Sequence, residues 1–310
     1  MLYVIGHKNT DTDSIVSAIA YAYFLRKQGR EAKALRPGPI NPETKFVLEK
    51  FSFVEPDLIK DVSGTKLILV DHNEKEHRPD GDFEILEIWD HHRFNFSYPS
   101  AIFIHCEAVG STATILAKEF FKKNLEIPRN LAGLLISAIL SDTIIFKCPT
   151  TTILDKEIAQ KLNENLKLDL VLFGKEIKKA GMDFDAPIKD LIQRDFKEYF
   201  FSGRKTGISQ IQVLEIDEFL RKNKKQEIIK SMEEIKKMKK YDLIVLILTD
   251  IFKQGSEIFC SEQEEKIERA FEGKFKNNSF WVSGLMSRKK QIVPLFEKIF
   301  EQKETVENSL

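Results

Sequence analysis

Charge of one sign is what this chain conspicuously lacks: Lys and Arg number 48, Asp and Glu 48, and the formal net charge is zero. Without a global basic field, no nucleic-acid partner is expected. Cysteine is scarce. Cys106, Cys148 and Cys260 stand far apart in 310 residues, and their odd number argues against a disulfide framework and for a reducing cytoplasm. Long apolar runs are missing as well. Stretches such as Leu243 to Leu248 are far too short to span a bilayer, so no membrane partner is expected. The first residues lack the basic, apolar and small-residue regions of a secretory signal. No internal repeat or low-complexity tract occurs. Ser202-Gly203-Arg204-Lys205-Thr206 lacks the first glycine and the strand–loop–helix setting of a phosphate loop. The lysine-rich segments 221–225 and 236–240 carry no aromatic side chains for base stacking and are interleaved with Glu227, Glu233 and Glu234. They read as one solvated helix with i,i+4 pairs. Histidine is absent beyond residue 105. His7, His72, His77, His91, His92 and His105 confine the titratable chemistry to the N-terminal part.

What is present is a chain long enough for two domains, 42% apolar and 31% charged. Up to about residue 125, short apolar runs alternate with helical patterns, the signature of βαβ units and a parallel sheet. The patterning predicts strands over 2–6, 31–35, 66–70, 84–89 and 101–104. Helices are predicted over 13–28, 42–50, 111–123, 130–146 and 153–164. Gly, Pro and Asp in the stretch Ala180 to Pro187 break the periodicity, which puts a domain boundary between 1–186 and 187–310. Beyond it, Glu198 to Phe201, Ile208 to Val213, Leu243 to Leu248 and Phe280 to Val282 read as strands, and Arg221 to Lys240 as a helix. A frayed tail is expected from about Glu301.

The informative residues sit at the ends of the N-terminal strands. Leu2-Tyr3-Val4-Ile5 runs into a turn carrying His7, Asp11 and Asp13; Asp71 closes 66–70; Asp90-His91-His92 closes 84–89. The loops leaving strand carboxyl ends are where open α/β sheets place their ligand sites. Taken singly, each residue has an ordinary explanation: Asp13 could cap the following helix, Asp11 could stabilise a turn, and His91-His92 could be a surface pair. Three strand ends that converge on one sheet edge favour a shared metal site. Asp142, set in the apolar run Leu134 to Phe146, is costly there unless it is paired or binds metal. Imidazoles with several carboxylates and no thiolate suit Mn²⁺, Mg²⁺ or Co²⁺ better than a closed zinc site. A bridging carboxylate would split the set between two ions, which together activate water and grip phosphoryl oxygens. Four aspartates neutralise two divalent cations, so a polyanionic substrate needs positive charge from elsewhere. Ser287-Arg288-Lys289-Lys290-Gln291 is the candidate supply, with a solvated turn as the alternative.

These residues together resemble the family II (manganese-dependent) inorganic pyrophosphatases of the DHH phosphoesterase superfamily, over nearly the whole chain. The matching motifs are Gly6 to Ser14, Val70-Asp71-His72-Asn73-Glu74, Asp90-His91-His92, Val109 to Thr114, Ser141-Asp142-Thr143 and Ser287 to Gln291. Thr10 departs from the proline usual in the family, which implies altered loop rigidity. No insertion is large enough for the regulatory CBS domains of some relatives. The resemblance implies an α/β fold with an N-terminal parallel-sheet DHH domain, a smaller DHHA2-type domain, and the active site in the cleft between them. By the same resemblance, His7, Asp11 and Asp71 hold one ion, and Asp13, Asp71, His91 and Asp142 the other. His92, Lys197, Arg288 and Lys289 attend the substrate. A homodimer is implied, carrying two Mn²⁺ per subunit, replaceable by Co²⁺ or Mg²⁺, with further Mg²⁺ or Mn²⁺ arriving with pyrophosphate. Gly110-Ser111-Thr112 reads as a helix cap.

The expected reaction is hydrolysis of pyrophosphate to two phosphates by a metal-bridging hydroxide attacking phosphorus in line. A short-chain exopolyphosphatase with the same metal site is one competitor. A non-catalytic phosphate-binding protein is another, disfavoured because every expected ligand is present. The Gly-Gly-Gly-His type motif of nucleotide-cleaving relatives is missing.

Overall fold

The computed structural model describes residues 1–182, 184–262 and 265–301. The tail expected beyond Glu301, and Asp183 of the expected boundary stretch, lie outside them. The chain forms two compact units, Met1–Met182 and Asp183–Leu310.

The first unit is built on β1 (Leu2–Ile5), β2 (Ala32–Arg36), β3 (Asp57–Leu58), β4 (Lys66–Val70), β5 (Glu84–Asp90) and β6 (Phe103–Cys106). The strands form one sheet in the order β3-β2-β1-β4-β5-β6, and every pairing is parallel. Sequence order runs outward in both directions from β1 and β4. The crevice at their carboxyl ends is therefore a topological switch point, and His7 and Asp71 follow those two strands. The helices are α1 (Thr12–Lys27), α2 (Pro42–Lys50), α3 (Thr112–Lys122), α4 (Arg129–Asp142), α5 (Ile153–Asn163) and α6 (Leu170–Ala180). α1 is buried along nearly its whole length and packs against α3 and α4. That explains its apolar run without a polar face.

Two expectations in this unit need correction. The last strand lies at Phe103–Cys106 and not at 101–104, where the His105 ring stacks on Trp89 with centroids 4.7 Å apart. The helix expected over 130–146 ends at Asp142. Ile144, Ile145 and Phe146 then take positive φ angles of 48°, 55° and 62°, a conformation that costs L-residues about 1–2 kcal/mol each. Apolar periodicity continued past the point where the backbone turns, so it could not mark the end.

The second unit contains α7 (Ile188–Arg194), β7 (Phe196–Phe201), β8 (Arg204–Val213), α8 (Ile216–Lys222), α9 (Lys225–Lys239), β9 (Leu243–Asp250), β10 (Gly255–Cys260), α10 (Glu265–Ala270), β11 (Ser279–Ser283) and α11 (Val293–Glu301). Its mixed sheet runs β11-β10-β9-β8-β7, with only β8 and β9 parallel. All of β9 is buried, and apolar clusters lie on both faces. The single charged helix expected over 221–240 is two helices. Asn223, in extended conformation, separates them and bonds back to Phe219 O. Lys225, Glu234 and Lys236 pair with Glu257, Lys189 and Glu262 on other elements, so the charges tie α9 into the fold.

Candidate metal centre

Gly6 begins the site because nothing larger fits there. A Cβ at that position would lie 2.6 Å from Cβ of Ser14, so the turn after β1 can press against the start of α1. Asp11, not Asp13, caps that helix. Its carboxylate accepts the Ser14 amide at 2.9 Å and the Ser14 hydroxyl returns to the Asp11 amide, a capping box. Its other oxygen stands 3.3 Å from Nε2 of His7. Asp13 lies in the first turn, fully buried. It accepts the amides of Thr112 at 2.6 Å and Ala113 at 3.0 Å, so the N-terminus of α3 grips it. Ser111 caps α3, as expected. Thr10, buried, donates its hydroxyl to Pro39 O and ties the loop down.

Asp71 sits at the centre. Its backbone is left-handed, φ 64°, a conformation Asp tolerates better than most residues. Oδ1 accepts the Thr112 hydroxyl at 2.9 Å and stands 3.3 Å from Nε2 of His91; Oδ2 stands 3.4 Å from Nε2 of His7. Nε2 of His91 is also 3.4 Å from Oδ2 of Asp142, whose side chain is 20% exposed at the end of α4 and not enclosed in an apolar helix. Nδ1 of His91 bonds Val109 O at 3.0 Å, which turns Nε2 toward the carboxylates. Candidate ligand atoms fall into three groups sharing Asp71: His7 with Asp11, then Asp13 with His91 and Asp142, and finally His91 with His92.

Whether a metal fits is answered by atoms that have nothing else to bond. Asp71 Oδ2 and His91 Nε2 are buried and lack any hydrogen-bond partner, although each lies within 3.5 Å of another ligand-type atom. Such atoms cost about 1–3 kcal/mol each unless something occupies the space between them. The titration behaviour agrees. Burial alone would lower His7 and His91, yet Asp11, Asp71 and Asp142 outweigh it and hold them at about 10 and about 12. Burial, reinforced by neighbouring carboxylates, pushes Asp13 well up and Asp142 to about 6. Despite its burial, Asp71 is held far below the usual range by both histidines.

His92 is half exposed. Its Nδ1 lies 3.0 Å from Asp90 Oδ1, the contact that raises its pKa. Asp90 is fully buried and also accepts Asn73 Nδ2 at 2.6 Å. A cavity of about 330 Å³ is lined by His7, Asn9, Asp11, Asp71, His72, Glu74, His77 and His92. In the second unit, Lys197 on β7 and Lys289 are exposed. Arg288 is buried and committed: its guanidinium donates to Asp195 O at 2.6 Å, Asp195 Oδ1 at 2.7 Å and Ile208 O at 3.2 Å. Sequence reasoning missed the Thr112 and Ala113 amides, because a main-chain donor carries no residue identity. It also missed Glu43, discussed below.

An all-parallel sheet with Asp and His gathered at its switch point defines a metal-binding α/β protein. Residues 1–139 match the DHH family N-terminal domain and residues 175–299 the DHHA2 domain. The manganese-dependent inorganic pyrophosphatase of Methanocaldococcus jannaschii is 45% identical over 97% of this chain and 99% of its own length. That of Methanothrix thermoacetophila is 40% identical over 97% and 99%. A solved Methanococcus jannaschii structure, assigned to the family II inorganic pyrophosphatases, is 44% identical with a TM-score of 0.62 over 97% of this chain and all of its own. The chain belongs to the DHH family, in its family II inorganic pyrophosphatase branch.

Proposed function

We propose that this protein is a manganese-dependent inorganic pyrophosphatase that hydrolyses pyrophosphate to two orthophosphates. The observation that carries the reading is Asp71, shared between ligand groups and left with an orphaned buried oxygen. His7, Asp11 and Asp71 would hold one ion; Asp13, Asp71, His91 and Asp142 would hold the second. When bound, a pair of divalent ions supplies an activated water and polarises phosphoryl oxygens. The chain's own groups do the rest. α3 holds Asp13 and Asp71 through the Thr112 and Ala113 amides and the Thr112 hydroxyl, leaving the carboxylates no freedom to collapse on one another. Asp90 occupies Nδ1 of His92, so Nε2 is the atom that can donate a hydrogen bond or proton to a phosphoryl oxygen. Lys197 and Lys289, exposed in the second unit, would meet the developing charge. Arg288 would join them from a buried position where it also bonds Asp195.

Residues 1–186 are proposed as the metal-binding domain and 187–310 as the substrate-binding domain of a cytoplasmic homodimer with two Mn²⁺ per subunit. Co²⁺ or Mg²⁺ would be substitutes, and an extra Mg²⁺ or Mn²⁺ would accompany the substrate. The test is phosphate release by metal-stripped protein, with and without Mn²⁺, from pyrophosphate and tripolyphosphate in parallel. Strong Mn²⁺-dependent release from pyrophosphate, lost in Asp71→Ala, is expected. Turnover of tripolyphosphate alone would move the assignment to a polyphosphatase, and inertness toward both would leave a binding protein.

A further inference from the structure

One ion pair outside the ligand set touches the neighbours of three proposed ligands. Glu43, in the first turn of α2, accepts the Thr12 hydroxyl at 2.9 Å, and Thr12 stands between Asp11 and Asp13. The same Oε1 accepts the hydroxyl of Ser141, which precedes Asp142. Lys178 on α6 donates to Glu43 Oε2 at 3.1 Å and to Ser141 Oγ at 2.9 Å. Both charged side chains are largely buried, 13% and 17% exposed.

A buried pair of this kind is weak evidence for stability, because desolvation offsets much of the Coulomb attraction. What distinguishes this pair is where its remaining hydrogen bonds go. They end on the beginning of α1, which carries Asp11 and Asp13, and on the end of α4, which carries Asp142. The second of these helix ends needs support. Past Thr143, which caps the helix in right-handed conformation, Ile144, Ile145 and Phe146 are left-handed, a strained path that must be imposed by its surroundings. α6 imposes it twice: Lys178 bonds Ser141, and Gly174 admits Ile145, whose Cγ1 would lie 2.6 Å from a Cβ at that position.

We infer that Glu43 and Lys178 are positioning residues for the metal centre, setting its affinity through Thr12 and Ser141. The inference rests on the metal reading above and deepens it. Its prediction is asymmetric. Ser141 adjoins Asp142 alone, whereas Glu43 also reaches the segment carrying Asp11 and Asp13. Removing the Ser141 hydroxyl should weaken only the set Asp13, Asp71, His91 and Asp142. Altering Glu43 should weaken that set and the set His7, Asp11 and Asp71.

The experiment titrates full-length, metal-stripped protein with Mn²⁺, following free Mn²⁺ by electron paramagnetic resonance. His7→Gln and Asp142→Asn backgrounds report the two sets separately. Ser141→Ala, which leaves the Glu43–Lys178 pair intact, is expected to lower Mn²⁺ affinity about 10–100-fold in the first background and not in the second. Glu43→Gln should lower it in both. Melting of the metal-free proteins is the control: affinity must fall in Ser141→Ala without a matching fall in melting temperature. Equal losses for Ser141→Ala in both backgrounds, or unchanged affinity in either variant, would overturn the inference while leaving the metal centre standing. Failure of the unsubstituted protein to bind Mn²⁺ would overturn the metal reading and this one with it.

Discussion

At the scale of single residues, the protein carries its charge problem inside. Asp13, Asp71 and Asp142 crowd together, and His7 and His91 supply positive charge beside them. A ligand imidazole must be neutral, so those two protons have to leave when a cation enters. The histidines are protonated at neutral pH, held at about 10 and about 12, above the ordinary 6.5. Mn²⁺ binding should therefore release protons, and affinity should rise as pH increases from about 6.5 toward 9. Calorimetry in buffers of different ionisation enthalpy measures the release directly. Affinity that is flat over that range would count against both imidazoles as ligands. For folding, the sign runs the other way: the raised histidines stabilise the metal-free protein fully below 6.5, and this is lost as pH climbs through about 10.

Between residue and fold stand the elements, and here Asp155 has the largest part outside the centre. In the first turn of α5, fully buried, it accepts the Thr152 amide and hydroxyl, both at 2.7 Å. It also accepts the Gly110 amide at 2.9 Å and the Thr114 hydroxyl at 2.6 Å. It thereby fastens the entry to α3, the helix whose first amides grip Asp13. Gly110 leaves room for this, since a Cβ there would stand 3.0 Å from Asp155 Oδ2. Asp155→Ala strands buried donors at a cost of about 1–3 kcal/mol each, so a loss of about 3 kcal/mol is expected. The measurement is urea unfolding, where the midpoint should drop with little change in slope. Mn²⁺ affinity should fall as well, because the grip on Asp13 loosens.

For the molecule as a whole, the proposed residue roles are divided between the two units. Every proposed metal ligand lies within Met1–Met182, while Lys197, Arg288 and Lys289 lie within Asp183–Leu310. Residues 1–182 expressed alone should then retain Mn²⁺ binding, with pyrophosphate hydrolysis reduced on the order of 100-fold or more for want of cations at the phosphoryl oxygens. Equilibrium dialysis against Mn²⁺ and a phosphate-release assay on the fragment measure the two halves of that statement. Full activity in the fragment would show that the second unit serves something other than catalysis.

Much of this protein was legible before any coordinate. Strand ends, apolar periodicity and ligand-type residues are local properties, so His7, Asp11, Asp13, Asp71, His91 and Asp142 could be picked out from their own neighbourhoods. Tertiary structure alone decided the rest. It chose Asp11 over Asp13 as the helix cap, because α3 claims both oxygens of Asp13. It ended α4 at Asp142, where apolar spacing continued without interruption. It committed Arg288 to Asp195 and joined Glu43 to Ser141 and Lys178 across 98 and 135 positions. The physical reason is one of range. Side-chain type and spacing reveal what a segment can bury or bind, whereas amide donors and the closure of distant segments are settled only when the whole chain packs.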